Sequence, residues 1–195
     1  MFERIRPILE KFLSPIAKKI DIDPNLVTIS SLIIAALAAV SFTLNELILG
    51  GVLIFLSGLL DVLDGAVARS QNKTTKFGAF LDSTTDRFSD TLIIIGLIAG
   101  GYTTWIIGVL AIHSSLTVSY VRASAESKGI PCTVGIGERA SRLLILIVGA
   151  FVAAYLGRMY MGIAILILVI IAYITVIQRI IHVWNWTNRT KTYED

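Results

Sequence analysis

The chain has 195 residues, of which 55% are hydrophobic and 16% charged, with a mean hydropathy of +0.78 and a net charge of +3. Soluble domains usually have about 25% charged residues, so this composition predicts an integral membrane protein. The single cysteine, Cys132, excludes a framework of intrachain disulfides. No basic helix stands outside the apolar segments, so we expect no nucleic-acid partner.

The N-terminal segment, residues 1–20, has an amphipathic pattern. Lys and Arg alternate there with apolar residues at helical spacing, namely Ile5, Ile8, Leu9, Phe12, Leu13 and Ile16. This pattern is typical of a helix that lies on the membrane surface, so we expect a juxtamembrane helix. Asp23 then stands as a helix N-cap before Pro24, which suits the first position of the first span.

Six segments are long and apolar enough to cross a bilayer, which takes about 20 mainly apolar residues. They are approximately 26–44, 48–69, 78–99, 103–125, 138–156 and 159–182. The connections between them are short, and Gly or Pro stands in several. The predicted fold is therefore an all-α integral membrane protein, a single domain over residues 1–195. Its six transmembrane helices follow the juxtamembrane helix.

The basic residues predict the orientation of the chain, because loops rich in Lys and Arg stay on the cytoplasmic side. With six spans and a cytoplasmic N-terminus, the outer loops fall near residues 45–46, 100–104 and 156–158. Arg158 is the only one of the 17 Lys and Arg residues in these loops. We therefore expect a multi-pass protein of the cell membrane with both termini in the cytoplasm.

Four aspartates stand at helical spacing near the cytoplasmic ends of two neighbouring spans. Asp61 and Asp64 share one face of the second span, and Asp82 and Asp86 share one face of the third. Four ionised carboxylates at one membrane depth repel one another, so we expect them to face a polar cavity and meet cations. Oxygen ligands suit Mg²⁺ or Mn²⁺, and four carboxylates suit two such ions, as in enzymes that act at phosphorus.

Two other interpretations of these aspartates must be weighed. Aspartates commonly end helices, which explains one or two carboxylates, such as Asp90, better than four on two facing helices. Intramembrane carboxylates also mark ion paths, which would make the chain a small cation transporter. An ion path needs polar residues across the whole membrane, whereas residues 52–56 and 92–98 are almost wholly apolar. The pattern therefore favours a reaction site at one depth.

The spacing of these residues resembles the signature of a known family. The pattern is Asp61-x-x-Asp64-Gly65-x-x-Ala68-Arg69, eight residues, and then Gly78-x-x-x-Asp82-x-x-x-Asp86. It matches the motif of the CDP-alcohol phosphatidyltransferase family without departure. The six predicted spans and the juxtamembrane helix also resemble this family along essentially the whole chain.

The resemblance implies a membrane enzyme that transfers a phosphatidyl-type group from a CDP-linked lipid to an alcohol and releases CMP. It implies that Asp61, Asp64, Asp82 and Asp86 hold two divalent cations on the lipid diphosphate, with Asp86 as the proton acceptor for the alcohol. It further implies that the active site faces the cytoplasm and that the enzyme is a homodimer. The residues expected to bind the CDP-lipid are Asn25, Thr28, Gly65, Arg69 and Thr75.

Several basic residues flank the aspartates and bear on the identity of the alcohol. Arg122 closes the fourth span, Arg139 opens the fifth, and Arg179 lies near the inner end of the sixth. These charges suit an acceptor that carries its own phosphate. For any one arginine, contact with anionic lipid headgroups is the more ordinary explanation.

Two stretches, "SYVRASAE" at 119–126 and "VGIGERASRL" at 134–143, resemble the inositol-phosphate-using members of the family. By that resemblance, Arg122, Arg139 and Arg179 hold the phosphate of 1D-myo-inositol 3-phosphate. The lipid would be CDP-archaeol or CDP-diacylglycerol, and the abundance of Ile slightly favours archaeol. A synthase that uses glycerol 3-phosphate is the alternative. Membrane prenyltransferases also pair aspartate motifs with Mg²⁺, but they have more spans and other spacings.

Overall fold

The computed structural model describes residues 22–71 and 73–191 of the chain. This part of the chain folds into helices joined by short connections, and it contains no β-strand. The predicted juxtamembrane helix over residues 1–20 lies outside the described residues. The helices are α1 (Pro24–Thr43), α2 (Leu47–Ser70), α3 (Lys76–Ala99), α4 (Trp105–Glu126), α5 (Arg139–Leu156) and α6 (Met159–Lys191).

The predicted spans agree with these helices, and one boundary differs. The first five spans begin and end within two residues of α1 to α5. The predicted N-cap is also confirmed, because the Asp23 carboxylate accepts a hydrogen bond from the Asn25 backbone N–H at 2.9 Å. The sixth span was expected to end at residue 182, but α6 continues to Lys191. The apolar pattern stops before the helix does, because residues 184–191 are polar or interfacial yet still helical.

Five of these helices, α1, α2, α4, α5 and α6, are long and apolar enough to cross a membrane. Among the described helices, α3 has a comparable length of 24 residues but a lower hydrophobicity. Its N-terminal part bears charged side chains, which are Lys76, Asp82, Asp86, Arg87 and Asp90. The all-helical membrane architecture is therefore confirmed, whereas the count of six crossings stays a prediction.

Small residues mediate much of the helix packing, as is usual where lipid removes the hydrophobic drive between helices. Buried alanines recur on most helices, and the large apolar side chains at the centre include Phe42, Ile54, Leu97 and Met161. Many other large apolar residues point outward, as expected for surfaces that face lipid chains. Examples are Leu37, Phe55, Ile95, Val148 and Ile170.

The bundle is closed at the end opposite the aspartates. Gly96 of α3 lies against the backbone of Ala39 in α1, so closely that a Cβ at this position would overlap it. A Cβ on Gly100 would likewise meet the Phe42 carbonyl oxygen. The helices α1 and α3 therefore touch at this end, whereas a cavity lies between the helices at the end that carries the aspartates.

Candidate active site

A cavity of about 930 Å³ opens between the helices where α1 begins and α2 ends. Residues from all six described helices line it, and so does the connection between α2 and α3. Every predicted site residue contributes to its wall, namely Asn25, Thr28, Asp61, Asp64, Gly65, Arg69, Thr75, Asp82, Asp86, Arg122, Arg139 and Arg179. The structure thus brings together side chains that are up to 154 positions apart in the sequence (Asn25 to Arg179).

Three carboxylates form the acidic centre of this cavity. Asp61 and Asp64 lie one turn apart on α2, and Asp82 faces them from α3. An oxygen atom from each lies within 4.8 Å of the other two. Among the described residues, Asp64 forms no ion pair with Lys or Arg, although its side chain is buried. A cluster of oxygen ligands of this kind fits a hard divalent cation such as Mg²⁺ or Mn²⁺.

Thr28 of α1 orients the buried member of the cluster. Its hydroxyl lies 2.5 Å from Oδ2 of Asp64 and 3.1 Å from the carbonyl oxygen of Pro24. A hydroxyl donates one proton, and its hydrogen bond to Asp64 fixes the carboxylate in one direction. A partner that orients a metal-binding carboxylate usually matters for the affinity of the metal. Thr28, predicted to bind the CDP-lipid, therefore also supports the carboxylate cluster.

Asp86, the predicted proton acceptor, lies one turn after Asp82 and has a different partner. Nη1 of Arg139 lies 2.7 Å from Oδ1 of Asp86 and also 2.7 Å from Oδ2 of Asp61. The guanidinium of α5 therefore bridges a carboxylate of α2 and one of α3. The four predicted metal ligands are thus arranged as three clustered carboxylates and a fourth that Arg139 joins to Asp61.

Two further charged residues support this bridge, although we did not include them in the predicted site. Asp90 accepts from Nη2 of Arg142 at 2.7 Å and from Nε of Arg139 at 3.3 Å. Arg142 is buried and also donates to the carbonyl oxygen of Gly137 at 2.8 Å. The sequence pattern indicates Asp90, because Asp82, Asp86 and Asp90 form one i, i+4 row, but it does not indicate Arg142.

The residues expected to bind the nucleotide lie beside two glycines. A Cβ on Gly65 would lie 3.1 Å from the guanidinium of Arg69. A Cβ on Gly78 would lie 3.1 Å from the Thr75 hydroxyl and 3.4 Å from the side-chain oxygen of Asn25. The Thr75 hydroxyl caps α3 by accepting from the Gly78 N–H at 2.9 Å. The absence of side chains at these glycines keeps the polar groups close to the backbone.

The other two predicted phosphate-binding arginines have unlike surroundings. Arg122 is partly exposed and pairs with Glu126 at 2.8 Å on the same helix. Arg179 is buried, and its Nε donates to the carbonyl oxygen of Val134 at 2.9 Å while Nη1 donates to that of Val118. Arg179 thus fixes the connection between α4 and α5 against α6. Both side chains still line the same cavity as Arg139.

Comparison with known proteins decides the family. Residues 22–186 match the profile of the CDP-alcohol phosphatidyltransferases. The chain belongs to the CDP-alcohol phosphatidyltransferase family. It is therefore a membrane transferase of phospholipid biosynthesis, and the prediction of an enzyme is confirmed. The carboxylate cluster fits the divalent cations that enzymes of this family use.

Individual relatives cover nearly the whole chain. It is 46% identical to the archaetidylinositol phosphate synthase of Methanothermobacter thermautotrophicus over 95% of both sequences. Its fold is similar to that of the Mycobacterium tuberculosis phosphatidylinositol phosphate synthase with CDP-DAG bound, with a TM-score of 0.80 and 30% identity. That match covers 89% of this chain and 94% of the other. The same mycobacterial enzyme in complex with manganese and citrate gives a TM-score of 0.78 at 30% identity, over 88% of each chain.

Proposed function

We propose that this CDP-alcohol phosphatidyltransferase transfers the phosphatidyl-type group of a CDP-linked lipid to 1D-myo-inositol 3-phosphate. The products are CMP and archaetidylinositol phosphate or phosphatidylinositol phosphate. The observation that carries this proposal is the single cavity in which the carboxylate cluster and three arginines meet. The 46% identity to an archaetidylinositol phosphate synthase favours CDP-archaeol as the lipid, with CDP-diacylglycerol as the second candidate.

The carboxylates would hold the diphosphate end of the lipid through metal ions. Asp61, Asp64 and Asp82 would hold one divalent cation, and Asp61 and Asp86 would contribute to holding a second. When bound, two Mg²⁺ or Mn²⁺ ions neutralise the diphosphate charge and stabilise CMP as it leaves. Arg69, whose guanidinium lies over Gly65, is placed to contact the nucleotide phosphates.

Asp86 is the proposed proton acceptor for the alcohol. The hydroxyl oxygen of the acceptor forms a bond to the lipid-bearing phosphorus, and the bond from that phosphorus to the CMP oxygen breaks. The hydroxyl proton passes to the Asp86 carboxylate, and the electron pair of the broken bond leaves with CMP. General base catalysis of this kind typically contributes about 10²–10⁴-fold to a rate.

The arginines would recognise the phosphate that the acceptor already carries. Arg139 reaches the acidic centre itself, while Arg122 and Arg179 line the wall contributed by α4 and α6. A phosphate monoester carries close to two negative charges, so charge-assisted hydrogen bonds to guanidinium groups favour it over an uncharged alcohol. This preference selects inositol phosphate over free inositol.

We further propose six crossings, both termini and the active site on the cytoplasmic side, and a homodimer. The length of α3, 24 residues, matches that of α2 and supports a sixth crossing. The placement of 16 of the 17 Lys and Arg residues supports the orientation. The resemblance to the family supports the homodimer, which light scattering on the purified protein in detergent would test.

Release of CMP from the purified protein tests the proposed function. The assay supplies Mg²⁺ and CDP-archaeol or CDP-diacylglycerol with one acceptor at a time: inositol phosphate, free inositol, glycerol 3-phosphate or serine. We expect release with inositol phosphate and a raised KM for that acceptor in Arg139→Ala. Glu46→Gln, at the far end of α2, is the matched control and should leave both kcat and KM unchanged. Release with glycerol 3-phosphate alone would replace the proposed acceptor with the alternative one.

A further inference from the structure

Arg139 occupies a position that a metal ion would also prefer. Its Nη1 lies 2.7 Å from an oxygen of Asp61 and 2.7 Å from an oxygen of Asp86. Two carboxylate oxygens directed at one cationic nitrogen are also the ligands that a hard divalent cation takes. The guanidinium and a cation cannot share this point, because both carry positive charge and both fill the space between the two oxygens.

The arrangement of Asp86 supports this conclusion independently. Its Oδ1 is buried and, among the described residues, has no hydrogen-bond partner of good geometry. The contact with Arg139 is therefore an ion pair without a well-aligned hydrogen bond. A buried carboxylate oxygen without a well-aligned hydrogen bond keeps its lone pairs available to coordinate a divalent cation.

Asp90 gives Arg139 a second anchor that does not depend on the bridge. Oδ1 of Asp90 accepts from Nε of Arg139 at 3.3 Å, and Oδ2 is held by Arg142 at 2.7 Å. Nε lies nearer the backbone than Nη1, so a turn of the planar guanidinium moves Nη1 farther from Asp61 and Asp86 than it moves Nε from Asp90. The ion pair with Asp90 therefore restrains Arg139 near the acidic centre when the bridge opens.

We propose that Arg139 and the second divalent cation compete for Asp61 and Asp86, so that loading of the metal frees Arg139 for the acceptor phosphate. This inference rests on the proposed function for the identity of the acceptor, but the competition itself does not. Binding linkage is reciprocal, so an acceptor phosphate that draws Arg139 away also makes the metal bind more tightly. Arg139 thus couples the binding of the metal to the binding of the acceptor, and its positive charge compensates part of the negative charge of the metal-free site.

Binding of Mn²⁺, followed by electron paramagnetic resonance, tests the competition without catalysis. The probe is Mn²⁺ alone, titrated into purified protein that lacks both lipid and acceptor. We expect Arg139→Gln to bind the weaker of its Mn²⁺ ions about tenfold more tightly than the wild type, within the usual range of coupling between sites. Arg122→Gln removes the same charge from the same cavity away from Asp61 and Asp86, and it should shift this affinity by less than about threefold, since a more distant charge is screened.

The reciprocal arm measures the wild type, with Arg139→Gln as a comparison. Adding inositol phosphate should tighten Mn²⁺ binding by about fivefold or more, and the same addition should have a much smaller effect on Arg139→Gln. An Arg139→Gln affinity that equals that of the wild type or of Arg122→Gln would overturn the proposal. So would a wild-type affinity that the acceptor leaves unchanged, whether or not the variant folds.

The two proposals can fail separately. If Arg139→Gln binds Mn²⁺ more tightly but CMP is released only with another phosphorylated alcohol, the competition stands and the proposed acceptor is wrong. In that case the reciprocal arm is repeated with the alcohol that supports release. If CMP is released with inositol phosphate but Mn²⁺ binding is the same in all three proteins, the proposed function stands and the competition is wrong.

Discussion

The two ends of the helix bundle use glycine in opposite ways. At the end where α1 finishes, Gly96 and Gly100 bring α3 against the backbone of α1, and a side chain at either would overlap backbone atoms. At the end where α1 begins, Gly65 and Gly78 have only polar side-chain atoms as near neighbours, in a cavity of about 930 Å³. The closed end fixes the helices against one another, and the open end has a cavity lined with charged groups.

The two ends of the bundle also differ in the partners of their arginines. At the closed end, Arg158 lies over the ring of Tyr102, at 4.9 Å from its centre, and donates to the carbonyl oxygen of Gly100. At the open end, by contrast, arginines meet carboxylates within a cavity. Substitutions at the closed end should therefore change stability with little effect on chemistry, and those at the open end should do the reverse.

The largest effect is expected at Asp86. In Asp86→Asn the side chain keeps its size but no longer accepts a proton, and CMP release should fall by about 10²–10⁴-fold. The measurement is kcat with saturating CDP-lipid and acceptor, together with a thermal unfolding curve. A variant that keeps more than a tenth of the wild-type rate would show that another group takes the proton.

Thr28→Val removes the hydroxyl that lies 2.5 Å from Asp64 while it keeps the shape of the side chain. Loss of such a supporting hydrogen bond typically weakens metal affinity or activity by about 10–100-fold. We expect a higher Mg²⁺ concentration for half-maximal activity, with kcat largely recovered at saturating Mg²⁺. Ser30→Ala is the matched control, because the exposed hydroxyl of Ser30 donates to the carbonyl oxygen of Leu26 in the same helix. A Thr28→Val enzyme with an unchanged Mg²⁺ requirement would contradict the role given to Thr28.

Gly96→Ala and Gly65→Ala compare the two ends directly. The added methyl at Gly96 overlaps the backbone of Ala39, and such overpacking costs about 1–3 kcal/mol of unfolding free energy despite a gain in helix propensity. The nearest atoms to the methyl at Gly65 are those of the flexible end of Arg69, so stability should stay the same or rise by up to about 1 kcal/mol through the gain in helix propensity. The KM for the CDP-lipid should instead rise.

Unfolding in detergent and steady-state kinetics on both glycine variants make the comparison quantitative. Equal losses of stability would mean that the open end is packed as tightly as the closed one. A normal KM in Gly65→Ala would remove the reason for placing the nucleotide beside Arg69.

The smallest effect is expected at Arg158. Arg158→Gln loses the contact with the ring of Tyr102, and cation–π contacts contribute about 0.5–2 kcal/mol. The unfolding free energy should fall by an amount in this range while kcat and both KM values stay at the wild-type level. A clear loss of activity in this variant would show that the closed end takes part in substrate binding.

Most of the helix boundaries could be predicted, because bilayer thickness limits the length of an apolar segment. The end of α6 differs, because the helix extends beyond the predicted span into polar residues up to Lys191. The nature of α3 was also harder to predict, because Asp82, Asp86 and Asp90 lower its hydrophobicity at the positions where the site needs charge. The charged residues of the site thus obscure, in α3, the apolar pattern that predicts a membrane span.

The candidate site could be predicted as a set of residues, but not as a network. Fixed spacings identified the aspartates of α2 and α3, since both motifs are local in sequence. The pairing of Asp90 with Arg142 spans 52 positions, so it depends on how α3 packs against α5. The bridge from Arg139 to Asp61 and Asp86 depends on the same packing. Pairs of this kind follow from tertiary structure, and no local pattern contains them.

The central claim is that the cavity selects a phosphorylated inositol for transfer from a CDP-linked lipid. A competition assay tests it most directly: purified protein receives Mg²⁺, CDP-archaeol and an equimolar mixture of inositol phosphate, free inositol, glycerol 3-phosphate and serine. Mass spectrometry of the lipid products then reports the ratio of kcat/KM values. We predict archaetidylinositol phosphate as the dominant product, reduced by about 10²–10⁴-fold in Asp86→Asn. A dominant product from any other acceptor would contradict the account.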